Sequence, residues 1–279
     1  MAKRKYEFDE QKLAQFKKEG RGEGHGIDYK PWLTIQDVPS KGRSSRIPST
    51  KIPREHHLLS DNERGIFLLL DWSDDVMDVR EQFPLDRDIT RKIANEMGVV
   101  HPMDPKTRTD IVMTTDFLID TCVGNKTIEI ARSVKSKTDL DNPRTIEKQE
   151  IERRYWELKN IDWRMFIDTD IPKKRVENLR WLYEMKSLEG LVTPYLGYWQ
   201  DVCNRLMAAL GKVHNVQVKK LIKELEFTQG LKAEDIIAAI RHLGANKVIA
   251  FDLDTPFSTN TIITSMKQVS SATPIRNLA

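Results

Sequence analysis

Asp116 and Lys135 stand on two strand-like arms joined by a turn, within TTDFLIDTCVGNKTIEIARSVKSK (114–137). Gly124-Asn125 is suited to a two-residue hairpin loop. That loop pairs Val123 with Lys126, and so places Asp116 opposite Ser133 and Thr114 opposite Lys135. Opposite residues, and residues two apart on one strand, project to one side of an antiparallel pair. Asp116, Ser133 and Lys135 therefore share a face, with Asp116 and Lys135 on a diagonal of about 7–8 Å between α-carbons. A one-residue slip would separate them. Alone, such a pair is an ordinary cross-strand ion pair on a solvated face, or a carboxylate and an amine set to work on a common substrate.

A second acid lies upstream. In SDNERGIFLLLDW (60–72), Ser60 is a good N-cap and Glu63 stands three residues on, the spacing of a capping box. Glu63 either completes that box or is free for chemistry. An acid at a helix start, an Asp-bearing strand, a Ser-Val-Lys strand and then a long helix is an order that recurs in nucleases.

The elements that must position these groups follow from pattern. Residues 8–19 form a short helix, and the Gly-rich 20–32 a loop. Residues 39–57 carry Lys41, Arg43, Arg46, Lys51 and Arg54 among Ser and Pro; this reads as a basic irregular segment, either solvated or a phosphate-contacting arm. A strand is expected at 76–85, a helix at 88–98 ended by Gly98, a helix at 142–160 with Pro143 at its start, and a strand at 162–172. The fold class is thus α/β, a mixed sheet flanked by helices. Past Pro172 the pattern becomes helical, then helix, turn at Gly230, helix ended by Gly244, strand, turn with Pro256, strand. That order suits a winged helix. Two domains are expected, 1–171 and 172–279.

Composition sets outer bounds. The chain has 279 residues, 39% hydrophobic and 31% charged, with a net charge of +3, which permits a nucleic-acid partner without demanding one. Cys122 and Cys203 form no redox or metal motif, and the six histidines lack ligand spacing. No apolar run suggests a membrane span, and MAKRKYEFDEQ lacks the apolar core of a secretory signal, so a reduced, cytoplasmic protein is expected.

EGRGEGHGIDYKPWLT, HHLLSDNERGIFLLL, DVREQFPL, TTDFLID, SVK and RTIEKQEIERRYW together span most of residues 19–156. In these segments the sequence resembles the restriction-endonuclease-like nucleases, and among them the TnsA nuclease subunits of Tn-seven-type heteromeric transposons. The resemblance implies that Glu63 and Asp116 ligate metal and that Lys135 is the catalytic lysine. It implies the backbone carbonyl of Val134 as a further ligand, and Glu152 as a peripheral contributor. Thr115 replaces the signature proline, which is harmless to the chemistry. Ser133 stands where the family usually has Gln or an acid, so that metal ligand is removed or weakened. Lys137, two residues beyond Lys135 and on the same expected face, is a decoy for the catalytic amine.

Those assignments suit phosphodiester hydrolysis by one or two Mg2+ ions, with Mn2+ as a substitute: hard cations take oxygen ligands, and an amine orients water or offsets developing charge. The implied activity is nicking at the 5′ ends of a transposon. The implied partners are double-stranded DNA at the transposon ends, a DDE-type transposase processing the 3′ ends, and an ATP-dependent regulator bound by the C-terminal domain. A free-standing restriction or repair nuclease and a catalytically inert assembly subunit are the alternatives.

Overall fold

In a computed structural model of the protein, residues 7–38, 43–212 and 215–265 are described; Lys41 of the basic segment lies outside them. Two compact units part between Ile171 and Pro172.

The first unit begins with α1 (Glu10–Lys18), capped by the Asp9 side chain accepting from Lys12 N. A loop with one turn of 3₁₀ helix follows. Its glycines have reasons: Gly24 has φ 86°, and a Cβ there would come within 2.7 Å of Asp28 O. The basic segment is not wholly irregular. β1 (Ser45–Pro48) and β2 (Glu55–Leu58) form an antiparallel ribbon, and Arg54 is buried in an ion pair with Glu81 at 2.8 Å. Alternating burial of Ile47, His56 and Leu58 drives this pairing through a Pro- and Ser-rich sequence.

α2 (Asp61–Trp72) then leads into β3 (Val76–Pro84), α3 (Arg87–Glu96), β4 (Thr114–Val123), β5 (Lys126–Lys135), α4 (Pro143–Leu158) and β6 (Asp162–Ile167). The sheet runs β3-β4-β5-β6, antiparallel except for the parallel β5–β6 pair, so it is mixed as expected. The hairpin takes the expected register, Val123 opposite Lys126, with Gly124 at φ 61°. α4 starts as its sequence demands, with the Asn142 side chain capping Arg144 N and Pro143 in the first turn.

Both faces of the sheet are covered. Leu118 and its cross-strand partner Ala131 pack with Ile93 and Ala94 of α3 and Ile151, Tyr155 and Trp156 of α4. Phe117, Ile119 and Ile130, which alternate with them, are equally buried, and α2 packs on β3 and β5. Each such side chain contributes about 1.5–3 kcal/mol.

The second unit holds α5 (Lys173–Tyr183), α6 (Tyr198–Lys212), β7 (Val216–Gln217), α7 (Val218–Gln229), α8 (Ala233–Ala245), β8 (Ile249–Ala250) and β9 (Ile262–Ser265). The strands form a small sheet in the order β7-β9-β8. Its core gathers Val202, Leu206, Leu221, Leu225, Ile236, Ile240 and Ile263. Gly230 ends α7 in the left-handed region at φ 64°. Gly244 does not end α8, which runs one residue further; a Cβ there would lie 2.9 Å from Leu182, so glycine allows α5 and α8 to approach. Among the described residues no helix is long and apolar enough to cross a membrane.

Candidate active site

The ladder between β4 and β5 ends at Phe117 opposite Arg132. Beyond it β4 continues beside β3 and β5 beside β6, so the hairpin's open end splits. Asp116 spans the split: its Oδ2 accepts from Val134 N at 2.7 Å, replacing a ladder bond, and from Lys135 Nζ at 3.0 Å. Lys135 Nζ also donates to Val134 O at 2.9 Å, so this expected metal-ligand carbonyl already has a cationic partner.

Glu63 reaches the same place from the first turn of α2. Ser60 caps the helix by accepting from Glu63 N at 3.1 Å, but the return bond of a capping box goes elsewhere. Glu63 Oε2 accepts from Leu59 N, one residue before the cap, at 2.9 Å, and Oε1 from the Ser60 hydroxyl at 2.8 Å. Gln82 joins the two acids. Its Nε2 lies 3.3 Å from Glu63 Oε2 and 3.4 Å from Asp116 Oδ1.

Glu152 descends from α4 and is buried beside these groups. Its Oε1 accepts from the hydroxyls of Ser133 and Thr115 and, at 3.1 Å, from Trp163 Nε1; Gln149 Nε2 donates to Oε2 at 3.3 Å. The Ser133 hydroxyl is thus engaged with an acid. Strict alternation fails here, since Thr115 and Ser133 both reach Glu152 although Ser133 was expected beside Asp116. Gln82 marks the irregularity: it has φ 49°, between the pairs Glu81–Phe117 and Phe83–Thr115, at the level of Asp116.

The electrostatics follow from burial. Loss of water, then the charge of Asp116, pushes the Glu63 carboxyl up to about 7. Burial raises Glu152, and Lys135 opposes that shift. Burial would lower Lys135, but Asp116, then Glu152, hold its ammonium above the usual lysine range. Lys137 is exposed and opens a 3₁₀ turn rather than extending β5, because Ser136 caps that turn. The decoy amine is therefore off the strand.

Sequence reasoning named Glu63, Asp116, Val134, Lys135, Ser133 and Glu152, and the structure gathers them around one end of the sheet. Gln82 was missed. The signal available was its place in DVREQFPL, one of the segments that carried the resemblance, but no propensity rule flags a glutamine. A different group, His25, Asp78 and Asp120, also brings ligand atoms within 4.8 Å of one another. There Arg80 already donates to Asp120 Oδ1 at 2.6 Å and to Glu129, so an arginine supplies the cation.

Buried acids and one ammonium thus meet at the split end of a mixed sheet, and comparison with known proteins gives the chain its class. Residues 73–168 match the family described as TnsA-like endonuclease N terminal, and residues 170–253 match TnsA endonuclease C terminal. The chain is 41% identical over 267 residues to the transposon Tn7 transposition protein TnsA of Escherichia coli, covering 93% of this chain and 92% of the relative. The chain therefore belongs to the TnsA endonuclease family, and is a transposition endonuclease of the Tn7 type.

Proposed function

We propose that this endonuclease nicks DNA at the 5′ ends of its transposon in a divalent-metal-dependent reaction, while a separate DDE-type transposase processes the 3′ ends. The convergence of Glu63, Asp116 and Lys135, with Glu152 behind them, carries the reading. The donor set fits a hard cation. Three buried carboxylates face one ammonium, an excess of two negative charges when all are ionised, and every available ligand atom is oxygen. Glu63 and Asp116 would hold Mg2+, or Mn2+ in its place, with the Val134 carbonyl as a further ligand, Ser133 too weak to serve alone, and Glu152 contributing from behind. Bound there, the ion supplies charge to the scissile phosphate and acidity to a water. Lys135, fixed by Asp116, orients that water or offsets negative charge as it develops on the phosphate oxygens.

Residues 1–171 form the catalytic domain in this reading, of restriction-endonuclease-like fold, and 172–279 a winged helix. The order α7, α8, β8, β9, with β9 between β7 and β8, supports that description. α8 opens with Glu234 and Asp235, which would repel a phosphate backbone. That favours this domain as the docking site for an ATP-dependent regulator rather than a groove reader. The protein works in the cytoplasm on double-stranded DNA. The test is reconstitution with transposase, regulator and transposon-end DNA, mapping nicks on both strands. Metal-dependent 5′ nicks that vanish in D116N are expected; 5′ nicks that persist in D116N would refute the assignment.

A further inference from the structure

Gln82 is the least expected residue in the neighbourhood of the acids. It is 2% exposed. Its φ of 49° lies in the left-handed region, where glycine and asparagine are at home and glutamine is not. It occurs inside a strand, at the level of Asp116. Such a conformation persists where the side chain is needed in a place that a regular strand would not give it.

The side chain's contacts say what that place is. Nε2 carries two hydrogens and sits between two carboxylates, 3.3 Å from Glu63 Oε2 and 3.4 Å from Asp116 Oδ1. The other end of the amide is fixed, because Thr114 Oγ1 donates to Gln82 Oε1 at 3.0 Å. The two acids, which only accept, set the orientation of the amide: a flipped amide would turn an acceptor toward them. The donors from Leu59, Ser60, Val134 and Lys135 fall on Glu63 and on Asp116 Oδ2; Gln82 is the donor that reaches Asp116 Oδ1.

We propose that Gln82 is a positioning residue of the metal site: its amide nitrogen spaces Glu63 and Asp116 for a divalent cation, and Thr114 anchors the far end of the amide. The inference rests on the metal-site reading above. Both bonds are long, so the amide spaces the acids without competing strongly with an ion. Without it, Glu63 keeps Leu59 and Ser60 and Asp116 keeps Val134 and Lys135, but the two acids lose the donor they share and their mutual spacing is no longer fixed from between them. Outer partners that orient ligands in this way typically change metal affinity by about 10–100-fold when removed.

The test is Mn2+ binding by the full chain without DNA, followed by calorimetry, together with the thermal midpoint. Q82G removes the amide while suiting the backbone angle. The expected result is Mn2+ binding weakened by about 10–100-fold, with a lower midpoint because buried volume and the Thr114 bond are lost. T114V leaves Gln82 in place but frees its amide, and an intermediate weakening is expected. Wild-type Mn2+ affinity in Q82G overturns the proposal, whatever the midpoint does. With both lowered in Q82G, T114V decides: weakened binding at an unchanged midpoint supports positioning, and wild-type binding overturns it. D116N separates the two levels of the argument. If D116N binds Mn2+ like wild type, the metal-site reading itself fails. If D116N loses binding while Q82G keeps it, only the role of Gln82 fails.

Discussion

Lys135 donates its ammonium to Asp116 Oδ2 over 3.0 Å, and the same nitrogen reaches Val134 O at 2.9 Å. Strand and side chain thus deliver one cation to the point where an acid leaves the ladder. K135A removes the charge but leaves both carboxylates, so Mn2+ binding is expected to persist. Nicking of transposon-end DNA is expected to fall by about 10²–10³, the usual loss when one fixed donor to a developing anion is removed. K137A serves as the comparison, since its side chain is exposed beyond the strand. A nick rate lost in K137A and kept in K135A would exchange the two assignments.

Glu152 and Ser133 form a second linked pair. Ser133 Oγ donates to Glu152 Oε1, which also accepts from Thr115 and Trp163. S133A therefore leaves the acid with Thr115, Trp163 and Gln149 as donors, and a loss of about 0.5–1.5 kcal/mol with little change in nick rate is expected. E152Q keeps the volume but removes the charge felt by Lys135, and nicking should drop by about 10–100-fold. Urea melts and strand-specific nick rates separate the two. A nick rate unaffected in E152Q would confine Glu152 to a packing role.

The hairpin could be read because its turn names its own register: Gly124 accepts a positive φ, and the pairing of every following residue is then set. Ser60 could be read for the same local reason. Glu152 could be given a helix but not a direction, because the rotation of α4 over the sheet is settled by Ile151, Tyr155 and Trp156 packing together. Gly244 looked like a helix end because glycine usually ends helices; here it answers to Leu182, more than sixty residues earlier. The β1–β2 ribbon was hidden by proline and serine, and its strands pair only because one side is buried. Local chemistry was visible in the sequence, whereas contacts that depend on another element's placement were not.

Buried histidine sets the expected response to acid. Burial lowers His56 below its ordinary value, Arg54 adds to that, and Glu81 and Asp71 oppose it. His57 and His101 are lowered by burial as well. Unfolding returns each ring to its ordinary pKa, so the unfolded chain binds more protons once the pH drops below about 6.5. Stability is thus fully present above that value and is lost as pH falls toward the folded values, by up to about 1.4 kcal/mol per unit for each group. Glu63, raised to about 7, and Glu152 act in the opposite direction over this range, so the difference between wild type and H56Q in urea unfolding at pH 7.5 and 5.5 isolates the His56 share, and H56Q should lose less stability at the lower pH. An identical slope in H56Q would assign the effect elsewhere.

The basic ribbon offers the last test, because its cations divide by partner. Arg54 is committed to Glu81 inside the protein. Arg43 and Arg46 are exposed and make no ion pair among the described residues, and Arg46 lies across from His57 on the ribbon that runs into Ser60 and Glu63. On the reading proposed above, exposed arginines on the segment that leads to Glu63 are expected to meet the phosphate backbone. Each phosphate contact contributes about 0.9 to the slope of log K against log salt on duplex DNA. The double variant R43A/R46A should lower that slope by up to about 2 and weaken transposon-end binding at low salt, with the melting temperature unchanged. R54A should do the reverse, leaving the slope alone and lowering stability by about 3–5 kcal/mol through the buried charge left on Glu81. An unaltered salt slope in R43A/R46A would return the ribbon to a purely structural role.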